Sequence, residues 1–173
     1  MRSSGTLFCI LSAAGFGAMG IFGKLAYDEG STVGTLLAVR FVLAALMFWA
    51  LVLPRGGARE LRELPARDIL LALGLGACGY ALQAGGYFAA LGRMDASVLA
   101  LLLYTFPAIV TVAAIAIGRE RADRRKIAAL ALASAGLVLV IANARPETID
   151  PVGAAFGLGA ACIYSAYILV SDG

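Results

Sequence analysis

The sequence contains no histidine and only three cysteines in 173 residues. Charge is scarce as well: Asp, Glu, Lys and Arg together make up 14%, where soluble domains carry roughly 25%. Cys9, Cys78 and Cys162 each stand alone in an apolar stretch, so neither a metal centre nor a disulfide framework has the residues it needs. The cysteines read as small packing residues. No Ser-His-Asp, Cys-His or paired-carboxylate arrangement occurs, which argues against an enzyme and against any cofactor. The net charge of +3 gives no case for nucleic acid, because most of the basic residues fall in two short clusters, RGGARELRELPAR and GRERADRRK.

What fills the chain instead is apolar sequence: 61% of it is hydrophobic and 21 residues are glycine. A helix crosses the ~30 Å hydrocarbon core with about 20 mostly apolar residues. Six segments qualify, 5–27, 33–53, 69–90, 96–117, 127–143 and 151–170. None shows the polar stripe, repeating every three to four residues, of a soluble amphipathic helix. The expected fold is therefore all-α: a polytopic transmembrane helix bundle with six spans in the lipid bilayer. The first span is too long for a signal-peptide core and reads as a retained helix.

The placement of cations orients the bundle. One side carries Arg2, Arg55, Arg59, Arg62, Arg67, Arg119, Arg121, Arg124, Arg125 and Lys126. The other carries Lys24, Arg93 and Arg145 among the acids Asp28, Glu29, Asp95, Glu147 and Asp150. This bias puts the N-terminus in the cytoplasm. The stretch NARPETIDP divides the chain into a five-span unit, 1–145, and a segment 148–173 whose helix resembles the first span: TLFCILSAAGFGAMGIF aligns with AAFGLGAACIYSAYILV. An odd number of spans in the first unit would insert a second copy upside down, which is the inverted-repeat plan of many secondary transporters.

GFGAMG (15–20) and GLGACG (74–79) both match the dinucleotide pattern G-x-G-x-x-G, and GLGAAC (157–162) nearly does. That pattern binds a nucleotide only between a strand and a helix. Inside apolar helices it lets neighbouring backbones approach closely, and helix packing is the expectation here.

Several local patterns taken together resemble the EamA group of the drug/metabolite transporter superfamily. They are the Gly-rich first span reaching GIFGKLA, the VRF of the second, and Tyr104-Thr105 with Pro107 in the fourth. GRE at that span's cytoplasmic end, a basic loop, and a fifth span ending AGLVLVIAN complete the set. The resemblance implies ten spans as two inverted five-helix repeats. It also implies movement of small metabolites such as amino acids across a bacterial inner membrane, as export coupled to protons or exchange. The sequence itself offers no clear carboxylate inside a span to carry a proton. With one repeat and the first helix of the next, the chain is expected to need a second repeat or another chain to complete the transporter. The alternatives are a half-size subunit that must oligomerise and a membrane scaffold that transports nothing.

Counting down from the outer ends of the spans locates a polar layer. Arg40 and Gln83 each lie ~10 Å deep, and Tyr104 and Thr105 ~12–14 Å deep. Pro107 cannot donate to the Leu103 carbonyl and should kink the fourth span beside them. Arg40, Gln83, Tyr104, Thr105 and Pro107 are thus the expected substrate-binding residues. An arginine at the centre of a spanning helix costs roughly 2.5–3.5 kcal/mol on insertion scales, so Arg40 should either face a cavity, where it can attract a carboxylate, or snorkel to the outer interface as a structural anchor. Asp95, Asp28 and Glu29 are its candidate protein partners. Lys24 is expected to anchor at the interface with Asp28, four residues on, as its partner, and Glu120 to serve as a cap or loop ion pair. Tyr164, Ser165 and Tyr167 on the sixth span are candidates as the counterparts of cavity positions on the first span, with Phe16 opposite Tyr164 and Gly17 opposite Ser165.

Overall fold

A computed structural model describes residues 2–142 and 150–171. It is helical throughout those residues: α1 (Arg2–Asp28), α2 (Val33–Val52), α3 (Gly57–Glu63), α4 (Ala66–Gly74), α5 (Ala81–Leu91), α6 (Ala96–Leu103), α7 (Phe106–Ala116), α8 (Arg124–Ala142) and α9 (Pro151–Ser171). Five helical stretches are long and apolar enough to cross a membrane: Gly5–Asp28, Val33–Arg55, Ala66–Leu91, Ala96–Ala116 and Pro151–Ser171. The sixth expected span, 127–143, is found as α8, whose far end adjoins residues outside those described. The boundary NARPETIDP falls largely on those same residues.

Two of the expected spans are not single α-helices. The third consists of α4 and α5 joined by a π-helical segment, Leu75–Tyr80. The fourth breaks after Leu103 and restarts at Phe106, with Tyr104 and Thr105 in the turn between. Loops close the ends in ordinary ways. α1 stops at Gly30, whose φ of 82° suits a residue without a side chain, and Ser31 N–H reaches back to the Ala26 carbonyl at 2.9 Å. α9 starts at Asp150, whose carboxylate accepts from the Gly153 N–H at 2.5 Å, with Pro151 at the first helical position.

The core lies where α5, α6 and the first half of α9 meet. Tyr87, Phe88, Leu91, Leu99, Leu102, Leu103, Ala160 and Ala161 are its main members. α2 and α4 bury no residue, and α7 buries only Ala114 among the described residues. The large apolar side chains of α1 and α2 face outward, as lipid-exposed helices require. α5 and α9 form the most extensive pair, and they run antiparallel: Gly79 meets Tyr167, Gly86 meets Ala160, and Ala90 meets Gly153. α9 lies parallel to the fourth span, since Gly157 packs on Leu99 and Ser165 on Phe106. Alternating span directions predict both relations.

Lipid tails are as apolar as leucine, so close packing rather than water exclusion holds such helices together. The glycine motifs serve this end, though sparingly. GFGAMG contributes Gly20 against Tyr87, GLGACG contributes Gly79 against Tyr167, and GLGAAC contributes Gly157 against Leu99 and Leu102. A Cβ on Gly15, Gly17, Gly74, Gly76 or Gly159 would touch nothing within 4 Å.

Polar contacts pin the two ends. Arg93 pairs with Asp150 at 3.9 Å, and the Tyr27 hydroxyl donates to the Phe88 carbonyl at 2.7 Å. At the opposite end Lys126 pairs with Glu120 at 2.9 Å, as expected of a loop ion pair, and Arg119 donates to the Leu169 carbonyl. Lys24 forms no ion pair with Asp28 among the described residues. Between the ends, the buried Ser165 hydroxyl lies 2.7 Å from the Ala161 carbonyl and 3.3 Å from that of Phe106.

Candidate functional site

Arg40 reaches out from the middle of α2 and donates through Nη2 to the Tyr80 hydroxyl at 2.9 Å. This corrects the expected pairing with Asp95, Asp28 or Glu29. The guanidinium also lies 5.4 Å from the centre of the Phe88 ring and 6.0 Å from that of Tyr80, within cation–π range. Phe41 meets the Tyr80 ring edge-on at 6.0 Å. The charge is thus held against aromatic faces and one hydroxyl. A guanidinium has five N–H donors, and the bond to Tyr80 uses one of them.

Tyr80 is the last residue of the π segment. One residue inserted into a helix turns everything beyond it by about 100°. That turn sets which way the third span presents Tyr80 and, two turns on, Tyr87. The sequence carries no clear signal for it beyond a run of small residues.

Tyr87 is 5% exposed, and its ring meets that of Phe88 edge-on at 5.3 Å. Tyr104 sits at the break in the fourth span. Pro107, in the first turn of α7, has no N–H to offer, and the helix there opens. The Thr105 hydroxyl donates to the Leu102 carbonyl at 2.7 Å, one residue earlier than the Leu103 carbonyl that Pro107 leaves free. A broken helix inside a membrane is tolerated only where it faces protein or a cavity.

Here it faces two cavities. The first, of about 260 Å³, lies between α1, α5 and α6, and Phe16, Gly20, Tyr87, Ser97, Ala100 and Tyr104 are among its lining residues. The second, of about 420 Å³, opens toward α8 and is lined by Tyr104, Thr105, Pro107 and Ser134 among apolar neighbours. Of the five expected residues, Tyr104 lines both cavities, whereas Arg40, held by Tyr80 and Phe88, lines neither. Thr105 and Pro107 turn to the other side. Gln83 is buried at 6% exposure and lines neither cavity. On the sixth span, Tyr164 packs edge-on against Phe106 at 4.9 Å and stacks on Tyr167 at 6.3 Å.

Sequence reading missed Tyr80, Tyr87 and Ser97. Aromatic and small residues in an apolar helix look alike whether they face lipid, a neighbour or a cavity. The one available signal was spacing: Tyr80 and Tyr87 are seven apart and share a helix face.

Residues 3–142 match the EamA-like transporter family, a stretch that includes Arg40, both helix discontinuities, α1 from its second residue and all of α2 to α8. The chain belongs to the EamA-like transporter family. It is 25% identical over 177 residues to the uncharacterized transporter YcbK of Bacillus subtilis (strain 168), covering 98% of this chain and 54% of that protein. The chain thus spans about half the length of this curated relative. No solved structure matches it. Membership of the EamA family makes the chain a multi-pass membrane protein of a transporter family, as its apolar helices require. The α9 helix lies beyond the matched segment, yet it supplies much of the packing that closes the core.

Proposed function

We propose that this EamA chain supplies half of a secondary transporter that exports small polar metabolites such as amino acids across the cell membrane. Residues 1–145 would be the first inverted repeat, and 148–173 the start of the second. The observation that supports the reading is the Arg40 guanidinium, held within an apolar span by the Tyr80 hydroxyl and the Phe88 ring. A carboxylate entering there gains a charge-assisted, bidentate partner whose orientation is already fixed by its aromatic neighbours. The tyrosine and serine hydroxyls give the rest of a polar solute hydrogen bonds in place of water. Burial strengthens these interactions, because the low local dielectric does not screen them as bulk water would.

Alternating access then needs one side to close as the other opens. The packed core around Leu91 and Leu99 lies beside the cavity, near the outer ends of the third and fourth spans in the orientation proposed from the loop charges. The two interrupted spans give the cytoplasmic halves, α4 and α7, places at which to move.

The test is Arg40→Ala in the full-length protein, reconstituted in vesicles. Transport should be lost with membrane expression intact, and unchanged transport would overturn the site.

A further inference from the structure

The two glycines that α1 contributes to the first cavity, Gly17 and Gly20, differ in what stands beside them. A Cβ on Gly20 would lie 3.2 Å from the Tyr87 hydroxyl oxygen and 3.7 Å from the Ala96 Cβ, so α1 already touches α5 and α6 there. A Cβ on Gly17 would meet nothing within 4 Å. α1 and the fourth span run in opposite directions. Stepping back three residues from Gly20 and forward four from Ala96 therefore brings Gly17 level with Ala100, itself a lining residue. The space between Gly17 and Ala100 is the cavity, and the contact of Gly20 with Ala96 and Tyr87 closes it one turn away.

The backbone does not require glycine at this place. Position 17 is helical, and its φ is not positive. In a helix interior glycine is a poorer choice than alanine. What it contributes is room.

We propose that Gly17 is the position that sets how bulky a solute the cavity admits. Its missing side chain leaves space opposite Ala100 for the apolar part of a small solute, among the rings of Phe16, Tyr87 and Tyr104. This inference rests on the reading of the cavity as the solute site. At about 260 Å³ the cavity is smaller than the roughly 300–1,000 Å³ of sites for drug-sized ligands, so one added side chain removes much of it.

The experiment uses the full-length protein with Cys9, Cys78 and Cys162 replaced by alanine and with Ala100→Cys as a reporter. The probe is a charged, membrane-impermeant methanethiosulfonate applied to vesicles of both orientations. Gly15 stands in equally open surroundings on the same helix and does not line the cavity, which makes Gly15→Leu the matched control. Gly17→Leu should slow labelling of the reporter by about tenfold or more, while Gly15→Leu leaves it within about twofold, as occlusion of a small pocket by one side chain implies. Equal labelling rates in the two variants overturn the proposal, and so does a reporter that the probe reaches from neither side.

A second arm measures transport of L-alanine and L-phenylalanine. Gly17→Ala should lower the phenylalanine-to-alanine rate ratio by about 10-fold or more, the range expected for one methyl group in a pocket, and Gly15→Ala should not. An unchanged ratio overturns the size role. If neither amino acid is carried while the labelling difference holds, the amino-acid assignment falls and the gap between Gly17 and Ala100 is upheld.

Discussion

Arg40 spends one of its N–H groups on Tyr80 and rests its flat face near Phe88. A hydrogen bond to a charged group contributes about 1.5–3 kcal/mol. Tyr80→Phe should therefore loosen the guanidinium without removing it, and transport KM should rise about tenfold. Kinetics in reconstituted vesicles decide this, and an unchanged KM would show that Tyr80 does not position Arg40. Arg40→Lys should not restore the native protein, because an ammonium neither stacks on the rings nor offers a planar pair of donors. The sequence made Arg40 visible because a cation in LLAVRFVLAALMFW costs too much to face lipid. Its partner was hidden, because Tyr80 comes from another span and a neutral tyrosine carries no such penalty. Acidic residues near the outer ends drew attention as charge partners, and the structure prefers a hydroxyl and two rings.

Among the elements, the third and fourth spans differ in how openly their interruptions were written. Pro107 announces the break in the fourth, since a missing N–H within an apolar run has one outcome. The π segment of the third announces nothing, because any small-residue stretch can take the extra residue. Gly79, inside that segment, shows what fixes it. A Cβ there would come within 2.7 Å of Tyr167 Cδ2, whereas one on Gly76 would meet open space. Gly79→Ala should thus destabilise by about 1–3 kcal/mol through overpacking, and Gly76→Ala should be neutral or slightly stabilising. Thermal unfolding of the detergent-solubilised protein measures the difference, and equal Tm values would remove the α9 contact from the account of this segment.

At the scale of the whole molecule, the apolar pattern and short loops were enough to foresee a bundle of alternating helices. The placement of arginines supplied the expected side, and counting residues from the span ends the expected depth. Which helices pack together was not written in them, because lipid-facing and partner-facing surfaces are equally apolar. The orientation is testable in the cysteine-free protein. Ser31→Cys should react with an impermeant thiol reagent added to intact cells, and Ala122→Cys only after permeabilisation. The reverse pattern would invert the bundle. Any such bundle that changes shape during transport must also let α9 shift against the fourth span. Ser165 shows how that shift can be made at little cost. Its hydroxyl has one hydrogen and two carbonyls in reach, one on the neighbouring span at Phe106 and one on its own helix at Ala161. When the neighbour slides away, the hydrogen still has an acceptor at home. The joint is therefore a reversible one, with no unpaired donor stranded in oil at any stage of the movement.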